Sequence, residues 1–299
     1  MRDADLLLTG FAPVIWGTTY LVTTEWLPQG YPLTTSLIRA LPAGLLLLAF
    51  VRRLPRGIWI LRVFILGGLN FSIFWWLIFV SAYRLPGGVA ATLNALQPLF
   101  VIVLSRLLLG APMRWSAVVA TLGGVLGVAL LILRPNATLD AIGIVAGLGG
   151  ALAMALGTVL AKRWQPPVSA LAFTAWQLVA GGLLLAPVAL TVERRLPSPT
   201  LDNLVGFVWL GLFGAALSYV LWFRGLARLG PHVVSPLVLL SPVTAVLLGW
   251  FVVDQVLTPV QLVGIALVLL SVWQSQRLRS ATAAASASGE IRAPAARAP

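Results

Sequence analysis

The sequence predicts an all-α polytopic membrane protein: ten transmembrane helices arranged as two inverted five-helix repeats. Three observations predict it. Of the 299 residues, 60% are hydrophobic and 9% are charged, where soluble domains carry about 25% charged residues. Apolar runs near the ~20 residues needed to cross a ~30 Å hydrocarbon core recur along almost the whole chain. Next, Tyr83–Gly110 and Ala227–Asp254 share one layout. Arg84 matches Arg228 and Pro98 matches Pro242, each pair 144 positions apart, and a Gly/Pro opening precedes each proline. Finally, five spans per half is an odd number, so the second half enters the membrane from the opposite side.

The spans fall at about 6–24, 33–51, 59–82, 86–109, 115–133, 141–161, 168–190, 203–224, 231–253 and 258–276. The first follows acidic residues rather than a basic leader and has no Ala-x-Ala-like cleavage site, so it reads as a retained span. Its Trp16-Gly17-Thr18 resembles Leu156-Gly157-Thr158 in the sixth. The second, with IRALPAGLLLL from Ile38, resembles WQLVAGGLLLA from Trp176 in the seventh. The third and eighth both close on aromatics, Trp75, Trp76, Phe79 and Tyr83 in one and Tyr219, Trp222 and Phe223 in the other. The fourth opens on Pro86-Gly87-Gly88 and the ninth on Gly230-Pro231, and Pro98 and Pro242 interrupt them. The fifth and sixth carry Gly123-x-x-x-Gly127 and Gly143-x-x-x-Gly147, patterns that let helices approach closely within one chain or between protomers. The repeats are therefore 1–138 and 139–279. Residues 280–299, rich in Ala, Ser and Pro, form a disordered cytoplasmic tail.

Fifteen Arg and Lys residues fall on one side of this topology and four on the other, Arg39 lying within a span. The excess places both termini in the cytoplasm. The formal charge of +12 is spread over span ends with no continuous basic face, so no nucleic acid partner is implied. There is no cysteine and one histidine, His232, which leaves no thiolate or two-histidine metal site. The eight acids, Asp3, Asp5, Glu25, Asp140, Glu193, Asp202, Asp254 and Glu290, fall in loops, termini or span edges. No phosphate-binding loop is present. No catalytic residue, metal or cofactor is expected, and the chain is not read as an enzyme. Transport is then either uncoupled facilitation or coupled through a group other than a mid-span acid.

The WGTTYLV of the first span, the Arg at the head of the second and the paired Gly/Pro-rich fourth and ninth spans resemble the drug/metabolite transporter superfamily, EamA-type branch. The resemblance covers residues 6–276. Within it, the chain is similar to the bacterial aromatic amino-acid exporters of the YddG type. The resemblance implies an inner-membrane exporter of amino acids and related metabolites, with a central cavity lined by both halves. Multidrug export is the alternative within the fold, and a structural or sensor membrane protein the alternative outside it. Expected partners are the small-molecule substrate and membrane lipid, with the chain a monomer or homodimer.

Several residues are candidates for the substrate site. Arg39, about two turns into its span, either meets a substrate carboxylate or snorkels to the interface. Asn70, Asn94 and Gln97 are mid-span amides, with Gln177, Ser218 and Ser241 as rough counterparts in the second half. They either receive a zwitterion or hydrogen-bond other helices. Trp16, Trp76, Tyr83, Trp176 and Tyr219 offer stacking surfaces or helix packing. Trp75 and Trp76 do not both face inward, because adjacent helical residues point about 100° apart. Gly87, Gly88, Pro98, Gly230 and Pro242 are candidate hinges.

Overall fold

Each apolar run becomes a helical span, and polar residues at the boundaries fix where several begin. In the computed structural model, residues 2–28, 30–85, 92–113, 115–132, 140–193, 198–252, 254 and 257–290 are described. We number the spans α1 (Arg2–Trp26), α2 (Pro32–Val51), α3 (Ile58–Gly67, Gly68–Ile73 and Phe74–Arg84, end to end), α4 (Thr92–Leu109) and α5 (Trp115–Ile132). The second set is α6 (Ala141–Trp164), α7 (Ala170–Val192), α8 (Leu201–Gly211, Leu212–Leu217 and Ser218–Leu229), α9 (Pro231–Val252) and α10 (Pro259–Glu290). Among the described residues there is no strand, and nine helices are long and apolar enough to cross a membrane. The tenth, Pro259–Ser275, is apolar but shorter. Asp140 caps α6 by accepting from Gly143 N at 2.7 Å, and Thr200 with Asn203 forms a capping box on α8. Such caps satisfy backbone donors that lack partners within the helix. α10 runs on to Glu290, where an unstructured tail is expected from 280; the high helix propensity of its alanines favours that extension.

The packing repeats with the sequence. The two most extensive helix contacts join α2 to α7 and α5 to α10, the partners that a two-fold exchange of the halves maps onto each other. α3 packs on α6 as α8 packs on α1, and α4 packs on α6 as α9 packs on α1. The α5/α10 crossing is close: a Cβ on Gly127 would stand 2.8 Å from Gly264 O, and one on Gly264 2.7 Å from Gly127 O. Small residues admit that approach, since lipid is no worse a solvent for apolar side chains than another helix. Gly143 and Gly147 likewise pack on α3 and α4, whereas a Cβ on Gly123 would meet nothing within 4 Å. Outward positions such as Phe50, Val145, Leu190 and Val208 are exposed apolar side chains, as a surface immersed in hydrocarbon requires.

Both repeats break their helices at matched places. Gly68–Ile73 in α3 and Leu212–Leu217 in α8 are π turns, again 144 positions apart. Each widens one turn by a residue. In α4 the regular helix restarts at Gln97 after a turn at Ala95-Leu96, and in α9 the 3-10 stretch Ser235–Leu239 precedes the α-helix from Leu240. A proline lacks the N–H that its own turn needs and clashes with the carbonyl four residues back. Pro98 and Pro242 therefore break the turn before them, and the disruption falls on the Asn94 and Val238 side.

Candidate functional site

Those interruptions border a central cavity of about 300 Å³ enclosed by α1, α2, α3, α4, α6, α8 and α9. One wall is aromatic. Trp16 lies 4.9 Å from Tyr219 and 5.0 Å from Trp222 between ring centroids, and Phe71 lies 4.6 Å from Tyr219. Another wall is hydroxylic, with Thr19 and Thr23 from α1 and Thr35 and Ser36 from the first turn of α2. Ser36 Oγ donates to the Pro32 carbonyl within its own helix at 2.8 Å. Arg39 is the one charged residue in the lining, which holds no acidic side chain among the described residues.

Arg39 is held on two sides. Its Nη2 donates to the Gly214 carbonyl in the π turn of α8 at 2.7 Å, and its guanidinium lies 5.0 Å from the centre of the Trp75 ring. The cation–π contact keeps the charge against the wall rather than extended to the interface. The Gly214 carbonyl also accepts from Ser218 Oγ at 2.8 Å, and Trp16 Nε1 donates to that same hydroxyl at 2.9 Å. A chain of hydrogen bonds thus joins α1, α8 and α2 across the cavity wall.

The repeat-related contact has other chemistry. Gln177 on α7 takes the place of Arg39, and Asn70 in the π turn of α3 the place of Gly214. Asn70 Nδ2 donates to Gln177 Oε1 at 2.7 Å, and both side chains are fully buried. Neither lines the cavity, so the expectation that they meet substrate gives way to an interhelical brace. Asn70 packs so tightly against Gly157 that a Cβ there would collide with its amide.

The cavity gathers Trp16, Arg39, Asn94, Gln97, Tyr219 and Ser241, together with Pro242. Gln97 is 1% exposed and its Nε2 has no hydrogen-bond partner in the protein. Trp76 and Trp176 are not in the lining. Trp76 is 49% exposed on the outer face, while Trp75, one position back, faces inward. The reason is the helical turn: Trp75 shares its face with Phe71, Ile78 and Phe79, and Trp76 points about 100° away. Trp176 is buried at one end of the bundle, its Nε1 donating to the Arg53 carbonyl at 2.6 Å. The Tyr83 side chain, Gly87 and Gly88 lie outside the described residues. Pro98 is buried in α4, and Gly230 joins α8 to α9 at φ +83°, a conformation that favours glycine. Beyond the α2/α8 contact lies a second, apolar groove of about 540 Å³ that includes Pro42, Leu46, Leu204 and Val208.

Matched ion pairs tie span ends in the two halves. Arg84 at the end of α3 stands 3.8 Å from Asp140 at the start of α6. Its counterpart Arg228, at the end of α8, meets Asp5 of α1 at 3.1 Å, and Arg224 adds a second bond to Asp5 at 2.6 Å.

The duplication agrees with the family match. The EamA-like transporter family model matches the chain twice, over residues 5–133 and 141–275. The protein PecM of Dickeya dadantii is 45% identical over 260 residues, covering 86% of this chain and 87% of that one. An uncharacterised inner membrane transporter of Escherichia coli, YedA, is 27% identical over 264 residues, 87% of this chain and 86% of its own. A solved crystal structure superposes with a TM-score of 0.79 at 20% identity, over 93% of this chain and 99% of that one, which supports the fold. With its two halves each matched by the family model, the chain belongs to the EamA-like transporter family.

Proposed function

We propose that this membrane transporter exports amino acids, aromatic ones first, and related small metabolites through the central cavity. The carrying observation is the lining: one guanidinium, an aromatic wall and hydroxyls and amides, with no acidic side chain among the described residues. Arg39 offers a charge-assisted, bidentate partner to a carboxylate. Trp16, Trp75 and Tyr219 offer faces and edges to a ring or an ammonium, and Gln97 borders the cavity with a buried amide nitrogen that has no hydrogen-bond partner in the protein. A cationic drug would meet Arg39 with nothing to balance its own charge, which places multidrug export second.

In this reading the halves rock by alternating access, with Pro98, Pro242 and Gly230 as hinges where the helices are already interrupted. The protein sits in the bacterial inner membrane with both termini cytoplasmic, supported by the fifteen-to-four Arg and Lys asymmetry. The test is flux of labelled amino acids into proteoliposomes of the purified chain, with and without a pH gradient. The expected result is saturable flux, inhibited by aromatic amino acids and weakened by Asn94→Ala or Gln97→Ala. Absence of flux for every amino acid would shift the substrate to other metabolites, and absence for any solute would make the chain a structural or sensor protein. Flux that survives collapse of all ion gradients supports uncoupled facilitation, whereas strict dependence on a pH gradient contradicts it.

A further inference from the structure

Arg39 does two things at once: it faces the cavity and it fastens α2 to the π turn of α8 through the Gly214 carbonyl. We propose that Arg39 is a displaceable strut. A substrate carboxylate entering the cavity takes the guanidinium from the Gly214 carbonyl and thereby releases the α8 π turn from α2. The inference rests on the reading of the cavity as a carboxylate-binding transport site.

Three features of the site make the exchange favourable. An ionised carboxylate is a stronger acceptor for a guanidinium than a neutral carbonyl, and it is able to accept two parallel N–H donors. The carbonyl that loses Arg39 is not left bare, because Ser218 Oγ still donates to it at 2.8 Å, with Trp16 Nε1 holding that hydroxyl in place at 2.9 Å. An abandoned buried acceptor would oppose the exchange strongly; here that cost is already covered. The guanidinium also remains against Trp75, so it turns between acceptors rather than leaving the wall.

The opposite repeat shows why only this contact responds. The Asn70–Gln177 bond occupies the corresponding position, but both side chains are fully buried away from the cavity, and no solute reaches either partner. The duplicated contact is thus a permanent brace in one half and a switchable one in the other. Arg39 acts as a positioning residue for the motion of α8 as well as a contact for substrate.

The chain contains no cysteine, so spin labels are placed at will. Leu46→Cys on α2 and Val208→Cys on α8 put labels on exposed side chains facing the outer groove between these helices. With the full chain in lipid nanodiscs, label separation is measured without ligand, with L-phenylalanine and with L-phenylalaninamide, which keeps the ring and ammonium but has no carboxylate. Binding of each is followed in parallel by tryptophan fluorescence. The expected result is that the acid shifts the separation and the amide does not, and that the acid binds at least roughly tenfold tighter. In Arg39→Gln, a neutral side chain like that of Gln177, the separation stops responding to the acid and the acid-to-amide ratio falls towards one. Acid and amide acting alike on the wild type, binding of the acid with no change in separation, or a full acid response in Arg39→Gln would each overturn the strut while leaving the cavity a binding site. Failure of wild type to bind phenylalanine saturably would overturn the reading of the cavity itself, and the strut with it.

Discussion

The contact between α7 and α3 and its repeat-related copy between α2 and α8 occupy the same place in two halves of one fold, yet their chemistry differs. In the first, a neutral amide bonds a neutral amide in full burial. In the second, a guanidinium bonds a backbone carbonyl at the edge of the cavity. Duplication preserved the geometry, a polar side chain on one span reaching the π turn of another. Gly214 stands where the other half has Asn70, and the space beside it accommodates the longer, charged Arg39, its Nη2 lying 3.4 Å from where a Cβ on Gly214 would stand. The neutral pair shares one hydrogen bond and leaves the buried Asn70 Oδ1 without a partner, a cost that a neutral amide bears more easily in a low-dielectric interior than a charge does. A permanent charge needs a water-lined or ligand-lined surface and so belongs at the cavity.

The largest expected effect breaks the charged contact. Arg39→Ala should lower kcat/KM for phenylalanine export by about 10- to 100-fold, the worth of one or two charge-assisted bonds, measured as flux in proteoliposomes. Its folding should be less affected, because the Gly214 carbonyl keeps Ser218. Breaking the neutral contact should do the reverse. Asn70→Leu leaves Gln177 buried with an unmet amide, a cost of about 1–3 kcal/mol, seen as a lower Tm in detergent with KM unchanged. If Asn70→Leu altered KM and Arg39→Ala altered only Tm, the assignment of brace and site would be inverted.

A smaller effect separates two neighbours. Trp75→Ala should raise KM for phenylalanine roughly two- to tenfold, the scale of one aromatic contact, while Trp76→Ala on the lipid face should leave it where it was. The smallest concerns the matched ion pairs at the span ends. Asp140→Asn keeps the α6 cap and removes an exposed 3.8 Å pair, so thermal unfolding should register about 0–1 kcal/mol. Asp5→Asn takes away the partner of both Arg224 and Arg228 and should lower Tm by more than Asp140→Asn does.

What the sequence revealed follows from which signals are one-dimensional. Apolar length gives the spans, and Pro98 and Pro242 mark the breaks in α4 and α9, whereas Pro13, Pro42 and Pro187 sit inside unbroken helices. Arg39 and Gln97 stand out because a charge or amide among leucines is conspicuous. The π turns at Gly68–Ile73 and Leu212–Leu217 leave no such mark, since one extra residue per turn changes hydrogen bonding and not composition. Asn70 and Asn94 read alike in a sequence, and only the rotation of each helix sends one to Gln177 and the other to the cavity. Thr19, Thr23, Thr35 and Ser36 escaped notice for a related reason. Hydroxyls are ordinary in apolar spans, where they bond to their own backbone as Ser36 does, so their convergence on one wall appears only in three dimensions.

The central claim is that substrate passes through the cavity between the repeats rather than along the apolar groove outside α2 and α8. Its most direct test is to fill each space in turn. Thr19→Trp places an indole in the cavity and Leu204→Trp places one in the groove, and both are assayed for phenylalanine flux in proteoliposomes alongside Tm. The account predicts that Thr19→Trp abolishes saturable flux in a folded protein and that Leu204→Trp transports like wild type. Undiminished flux through Thr19→Trp, with loss in Leu204→Trp, would contradict it.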